Sequence, residues 1–169
     1  MTNFLKFKRP ILGAVLAGTI IIVDQISKLL VLDLFHGPAE AKLSVPVVPF
    51  FDLVLVWNRG VSFGMFNDAS VMPFVLIAVA AVLVGFVGRW LLRAETLLEA
   101  AAFGLIIGGA IGNVIDRVRL GAVVDFLDFH LNFYGTDAHF PAFNVADSAI
   151  CVGAGLILYL WGVRGKTNA

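Results

Sequence analysis

Cysteine is nearly absent: the single Cys151 lies inside an apolar run, cannot close an intramolecular disulfide, and belongs to no C-x-x-C or other zinc spacing. Charge is scarce too. Only 14% of the residues are charged and the formal net charge is zero, so no basic surface for nucleic acid is indicated. The chain has no convincing internal repeat, no low-complexity segment and no H-E-x-x-H pair. Ser148 has neither a G-x-S-x-G elbow nor a histidine at a motif spacing, which leaves a serine nucleophile without support.

What fills the space is apolar residue. Hydrophobic residues make up 60% of the 169 positions and the mean hydropathy is +0.95. A soluble domain is nearer half apolar and a quarter charged. The balance indicates one integral membrane domain over residues 1–169, mainly α, with four transmembrane helices and a small extracytoplasmic β element. About 20 apolar residues cross a bilayer core, and four stretches qualify: about 11–32, 71–92, 97–118 and 141–161.

The first, from Ile11 to about Leu32, follows Lys6, Lys8 and Arg9 and superficially resembles a signal peptide. It is too long for one and contains Asp24 and Lys28, so it reads as a retained helix. Leu16-Ala17-Gly18-Thr19 has the look of a lipoprotein processing box without its cysteine. In the third helix Thr96 and Glu99 form a capping box, and Gly104, Gly108 and Gly112 make a smooth ridge for close packing. Phe140 or Pro141 opens the fourth, with Asn144, Asp147, Ser148 and Cys151 along one stripe. Asp147 is then six residues into that helix, roughly 9 Å below its outer end.

Two mixed loops, about 33–70 and 119–140, join these spans. Phe51–Trp57 alternates and reads as a strand, Asn58-Arg59-Gly60 as a turn, and Val61-Ser62-Phe63 as a returning strand. Four helices put both termini on one side. Lys6, Lys8, Arg9, Arg89, Arg93, Arg164 and Lys166 lie on that side, against Lys42, Arg59, Arg117 and Arg119 opposite. The excess makes the terminal side cytoplasmic and the loops outward-facing.

Asp125 in Val-Val-Asp-Phe-Leu and Asp147 in Phe-Asn-Val-Ala-Asp-Ser-Ala-Ile are acids in apolar settings. Such charges are costly unless paired, hydrogen-bonded or neutralised. If they converge, two carboxyls tend to share one proton. One can then take a proton from water while the other gives one to a carbonyl oxygen, which is amide hydrolysis by general base and general acid. The competing reading pairs each acid separately.

Asn144, one turn from Asp147, could bond it or a substrate backbone; Ser148 could do likewise or bond back to the carbonyl of residue 144. Asn113 could fix a substrate carbonyl. Arg117 could hold a carboxylate or lipid phosphate, or snorkel as an interfacial anchor. Asp24, Lys28 and Asp116 read as structural ion pairs that brace the site. Asp125, Asp128, His130, Asp137 and His139 offer metal-ligand types without a compact motif. Trp57, Phe63, Phe66, Phe129, Phe133 and Tyr134 could grip lipid or form an interfacial belt. Two other classes compete with an enzyme: a small proton-coupled transporter, and a non-catalytic assembly partner using the glycine ridge.

Five segments, in order, resemble the bacterial lipoprotein signal peptidase (signal peptidase II) family of membrane aspartyl proteases. They are Asp24-Gln25-Ile26-Ser27-Lys28, Asn58-Arg59-Gly60-Val61-Ser62-Phe63-Gly64, Gly109 to Arg117, Val123-Val124-Asp125-Phe126, and Phe143-Asn144-Val145-Ala146-Asp147-Ser148. The resemblance implies a catalytic dyad of Asp125 and Asp147, with Asn113, Arg117 and Asn144 lining the site. Asn58 and Gly60 would belong to a β cradle that meets substrate, and Asp24, Lys28 and Asp116 would support it. It implies a diacylglyceryl-modified prolipoprotein as substrate, cut on the amino side of the lipidated cysteine, with membrane lipids as surroundings and no cofactor or metal. It also implies the bacterial cytoplasmic (inner) membrane as location. Asp128–His139 matches no motif of the family.

Overall fold

Four helices long and apolar enough to cross a membrane dominate the computed structural model, which describes residues 2–35, 44–60, 71–133 and 136–167. In chain order the elements are α1 (Thr2–Leu34), β1 (Ser44–Val48), β2 (Phe51–Asn58), α2 (Met72–Leu92), α3 (Leu97–Leu120), β3 (Val123–Phe133), β4 (Thr136–His139) and α4 (Val145–Thr167). The candidate spans run Lys8–Leu34, Met72–Leu92, Leu97–Leu120 and Val145–Arg164.

α3 is the axis of the bundle: 50% of its span is buried, against 22%, 11% and 22% for α1, α2 and α4. Its glycines make this possible. A Cβ on Gly108 would lie 2.7 Å from the Ala17 carbonyl oxygen, so α1 rides directly on the α3 backbone. The outer faces carry exposed apolar side chains such as Phe74, Phe86 and Leu158, as lipid-facing helices do. The capping box is present: Thr96 Oγ1 accepts from Glu99 N, and Glu99 Oε2 accepts from Thr96 N.

One end of the bundle gathers the start of α1, the α2–α3 turn and the end of α4. There Arg9 donates to the Ala94 carbonyl at 3.2 Å, and Arg164 meets Glu99 at 2.6 Å. The other end carries a four-stranded antiparallel sheet in the order β1-β2-β3-β4. Val31 of α1, Phe35 just past its end and Phe126 of β3 form the core that seats the sheet on the bundle.

The observed elements correct the expected ones in three places. α1 continues back through Pro10 to Thr2 instead of starting near Ile11. Residues 119–140 are not a mixed loop but mostly the β3–β4 hairpin. Val123, Val124, Asp125 and Phe126 are all buried, so the strand opens with no polar alternation to betray it. α4 starts at Val145, not at Phe140 or Pro141, because Phe143 pairs with Leu127 of β3 and Asn144 caps the helix. Asp147 is therefore in the first turn of α4, not 9 Å down it. The expected strand Val61–Phe63 lies outside the described residues, as do Phe66, Tyr134 and Lys42.

Candidate active site

Asp125 is the third residue of β3, and 1% of its surface is exposed. Its Oδ1 accepts from Asn144 Nδ2 at 2.7 Å and its Oδ2 from Asn58 Nδ2 at 2.9 Å. Asn58 is held in turn: its Oδ1 accepts from the Gly60 amide at 2.8 Å, across a turn in which Gly60 has φ +76°. A residue with a side chain is strained in that conformation, so Gly60 sets the amide that faces Asp125. Burial is the main force pushing the Asp125 carboxyl up to about 6, and the charge of Asp147 adds to it. The bonds from Asn58 and Asn144 and the charge of Lys28 pull the other way.

Asp147 is partly buried in the first turn of α4. Its Oδ1 accepts from Asn113 Nδ2 at 2.8 Å, and its Oδ2 from the Asn144 amide at 3.2 Å. Asn144 returns the favour, its Oδ1 accepting from the Asp147 amide at 2.9 Å. This reciprocal arrangement is a capping box with an aspartate in the glutamate position.

Asn144 thus touches both acids. Its Nδ2 also reaches Asn113 Oδ1 at 3.2 Å, closing a chain Asp147–Asn113–Asn144–Asp125 built only of side-chain hydrogen bonds. The two acids converge on this amide bridge although 22 residues separate them in the chain. Ser148 Oγ donates to the Asn144 carbonyl at 2.9 Å, the local bond that competes with a substrate role.

Beneath the bridge lies a buried charge cluster. Lys28 Nζ is 2.8 Å from both Asp24 Oδ2 and Asp116 Oδ2, and donates to Asn113 Oδ1 at 3.1 Å. That last bond fixes which way the Asn113 amide points, leaving its NH2 for Asp147. Asp24 Oδ1 accepts from the Ala146 amide at 3.0 Å, and Asp116 Oδ2 from the Val124 amide at 3.1 Å. The residues just before Asp147 and Asp125 are thereby tied to α1 and α3. Gln25, unweighted in sequence, joins Asp24, the Gly112 carbonyl and Asp116, and accepts from Arg119. Its place beside Asp24 in the first motif was the available signal. Arg117 donates to the Asn113 carbonyl at 3.3 Å.

Of the metal-ligand types, Asp125 stands apart, while Asp128, His130 and His139 come together on β3 and β4. Asp128 is buried rather than solvated. Next to Asn144, the rings of Phe50, Phe129, Phe140 and Phe143 line an apolar cavity of about 610 Å³. Trp57 and Phe129 are exposed near the same end. Cys151 is exposed on α4.

Comparison with known proteins gives a consistent answer. Residues 16–162 match the family model described as signal peptidase (SPase) II. A lipoprotein signal peptidase of Nitrobacter hamburgensis is 46% identical over 151 residues, covering 87% of this chain and 89% of that protein. One from Azoarcus sp. is 47% identical over 160 residues, covering 90% and 83%. A bacterial membrane enzyme solved by the in meso method at 2.3 Å resolution superposes with a TM-score of 0.74 at 25% identity, over 92% of this chain and 90% of that one. A second, at 1.9 Å resolution, gives 0.72 at 28% identity, over 88% and 91%. With the matched model spanning nearly the whole chain and the four membrane-length helices in place, the protein belongs to the signal peptidase II family and is a multi-pass membrane peptidase.

Proposed function

We propose that the protein removes signal peptides from diacylglyceryl-modified prolipoproteins, cutting on the amino side of the lipidated cysteine, with Asp125 and Asp147 as the catalytic pair. The observation that carries this is the amide bridge. Two carboxyls from separate elements meet at Asn144 and Asn113, beside an apolar cavity, at one end of a membrane bundle. Asp147 accepts hydrogen bonds on both oxygens at a helix N-terminus, where the helix dipole favours an anion. It is the base that takes a proton from water. Asp125, already pushed up to about 6 by burial, loses further solvent when substrate covers it. It is the acid that gives its proton to the scissile carbonyl oxygen. The negative charge developing on that oxygen is quenched as the proton arrives, and the water oxygen bonds to the carbonyl carbon. As the tetrahedral species collapses and the C–N bond breaks, Asp147 gives the leaving nitrogen the proton it took from water, and a hydroxyl of the former carbonyl carbon returns a proton to Asp125.

Asn58, Gly60 and Arg117 border this pair, and we assign them to substrate positioning, with Asp24, Lys28 and Asp116 as support. The excess of Lys and Arg at the terminal end makes that end cytoplasmic and the sheet end extracytoplasmic in a bacterial inner membrane. Acyl chains anchor a lipidated cysteine at the membrane surface, the depth at which such a site would work. A proton-coupled transporter would need its acid reachable from both faces. The location of both acids at the sheet end argues against it.

The test incubates purified protein in detergent with a lipidated precursor. Asp125→Asn and Asp147→Asn are each expected to abolish cleavage with the helical content intact. Substantial turnover by either variant would remove that residue from the dyad. An unlipidated precursor is expected to be cut poorly; equal cleavage would contradict a site that reads lipid.

A further inference from the structure

The β3–β4 hairpin holds a second set of ionisable groups that the dyad does not use. We propose that Asp128, His130 and His139 bind a divalent transition-metal ion of the zinc type, clipping β4 to β3 beside the apolar cavity. Asp128 and His130 are two apart on β3, so both face one side of the strand, and His139 is paired directly with His130 across the hairpin. Asp125, three residues before Asp128, faces the other side, which separates this cluster from the dyad.

One ligand atom from each of the three residues falls within a 4.8 Å set. His139 Nδ1 is already 2.8 Å from Asp128 Oδ2, and the two imidazole centroids are 5.1 Å apart. A zinc ion about 2.0–2.2 Å from each ligand needs them within roughly 3.5 Å of one another, a closure on the order of 1 Å that side-chain rotation supplies. Two imidazoles and a carboxylate are a ligand set that suits such a metal, with a fourth position left for water.

The second observation concerns unmet polar atoms. Asp128 is 8% exposed, and its Oδ1 and the Nδ1 of His130 are buried without a hydrogen-bond partner. Buried polar atoms are nearly always satisfied, and two orphans in the same three-residue cluster ask for a ligand. Charge points the same way. Asp52 lies directly opposite Asp128 on β2, a like-charge cross-strand pair that destabilises a sheet unless a cation relieves it. Asp52 is engaged by Ser44 Oγ at 2.8 Å, which leaves Asp128 as the acid available to a metal.

The test uses the full chain in detergent, freed of any purification tag and stripped with a chelator, then titrated with zinc chloride by calorimetry and with Co²⁺ by visible absorption. One zinc per chain is expected at micromolar affinity, with the Co²⁺ form showing ligand-field bands of a low-coordinate site. His130→Gln and His139→Gln are each expected to weaken binding roughly tenfold or more. The His139 side chain is 50% exposed, so its replacement tests the ligand without disturbing a core. No saturable binding by the wild type, or zinc bound as tightly by His139→Gln and His130→Gln as by the wild type, would overturn the assignment.

Discussion

Asp125→Asn should make the protein more stable at alkaline pH while it destroys activity. In the unfolded chain this carboxyl titrates near 3.8, and in the folded one it is pushed up to about 6, first by burial and then by Asp147. Between those values the folded state holds more protons than the unfolded state, so stability falls as pH rises. The favourable contribution is complete below 3.8 and lost once pH has passed about 6. The interval, at about 1.36 kcal/mol per pH unit, amounts to about 3 kcal/mol. Asparagine carries no charge to desolvate, which recovers that amount at pH 8. Its own NH2 must face a donor from Asn58 or Asn144, and the conflict costs about 1–1.5 kcal/mol. The net gain is about 1.5–2 kcal/mol, or roughly 3–8 °C in Tm for a chain of this size. Thermal unfolding of wild type and variant in the same detergent at pH 4, 6 and 8 measures it. The difference should favour the variant at pH 8 and vanish or reverse at pH 4. A Tm difference that does not change with pH would refute the reasoning, because it would mean that Asp125 carries no burial penalty on its charge.

Lys28→Met leaves Asp24 and Asp116 buried without their cation, and should cost about 3–5 kcal/mol in a denaturant titration. Gly108→Ala puts a methyl 2.7 Å from the Ala17 carbonyl oxygen, so α1 must lift off α3; a loss of about 1–3 kcal/mol in the same titration is expected. Asn144→Ala should lower stability by about 1 kcal/mol through the lost cap and cut turnover by roughly a hundredfold. Asn144→Ser restores the cap without the amide that reaches Asp125, so it should recover the stability and not the turnover. Recovery of both in the cleavage assay would mean that the bridge is only a helix cap.

The spans were legible because a membrane imposes a signal that single residues read well: about 20 mostly apolar positions with few charges among them. The capping box at Thr96 and the packing ridge at Gly104, Gly108 and Gly112 were legible for the same reason, since each depends on spacing within one helix. The strand Val123–Phe133 was not. Its first residues are buried on both faces, and a buried charge at Asp125 looks no different in sequence from one in a loop. The start of α4 was misplaced because Phe140–Phe143 is apolar enough to continue a helix, while what stops it is a pairing with Leu127 sixteen residues earlier. Asp128, His130 and His139 were named among five metal-ligand types, but their grouping was not legible, for a related reason. They have no helical spacing, and only the hairpin register brings residue 139 back onto residue 130.

The glycine ridge and the charge cluster are usually thought of as separate devices, one for packing and one for electrostatics, but here they are the same object. A Cβ on Gly112 would lie 2.6 Å from Asp24 Oδ2, so the absence of that one atom is what admits the Asp24 carboxylate between α1 and α3. With Asp24 seated, Oδ2 meets Lys28 and Oδ1 takes the Ala146 amide, an N–H of the first turn of α4 that no preceding helical carbonyl can satisfy. Lys28 in turn sets the Asn113 amide, whose NH2 donates to Asp147 one residue beyond Ala146. Beside the bonds from Asn144, the hold on the Ala146 amide and the hold on the Asp147 carboxylate through Asn113 therefore both trace to the closeness of two helix backbones. The cost of burying Asp24, Lys28 and Asp116 is large for stability alone, and replacing such a triad with apolar residues is often neutral or better. Its retention makes sense as positioning: an apolar contact could hold α1 against α3 equally well, but it could not tell the first turn of α4 where to put an oxygen.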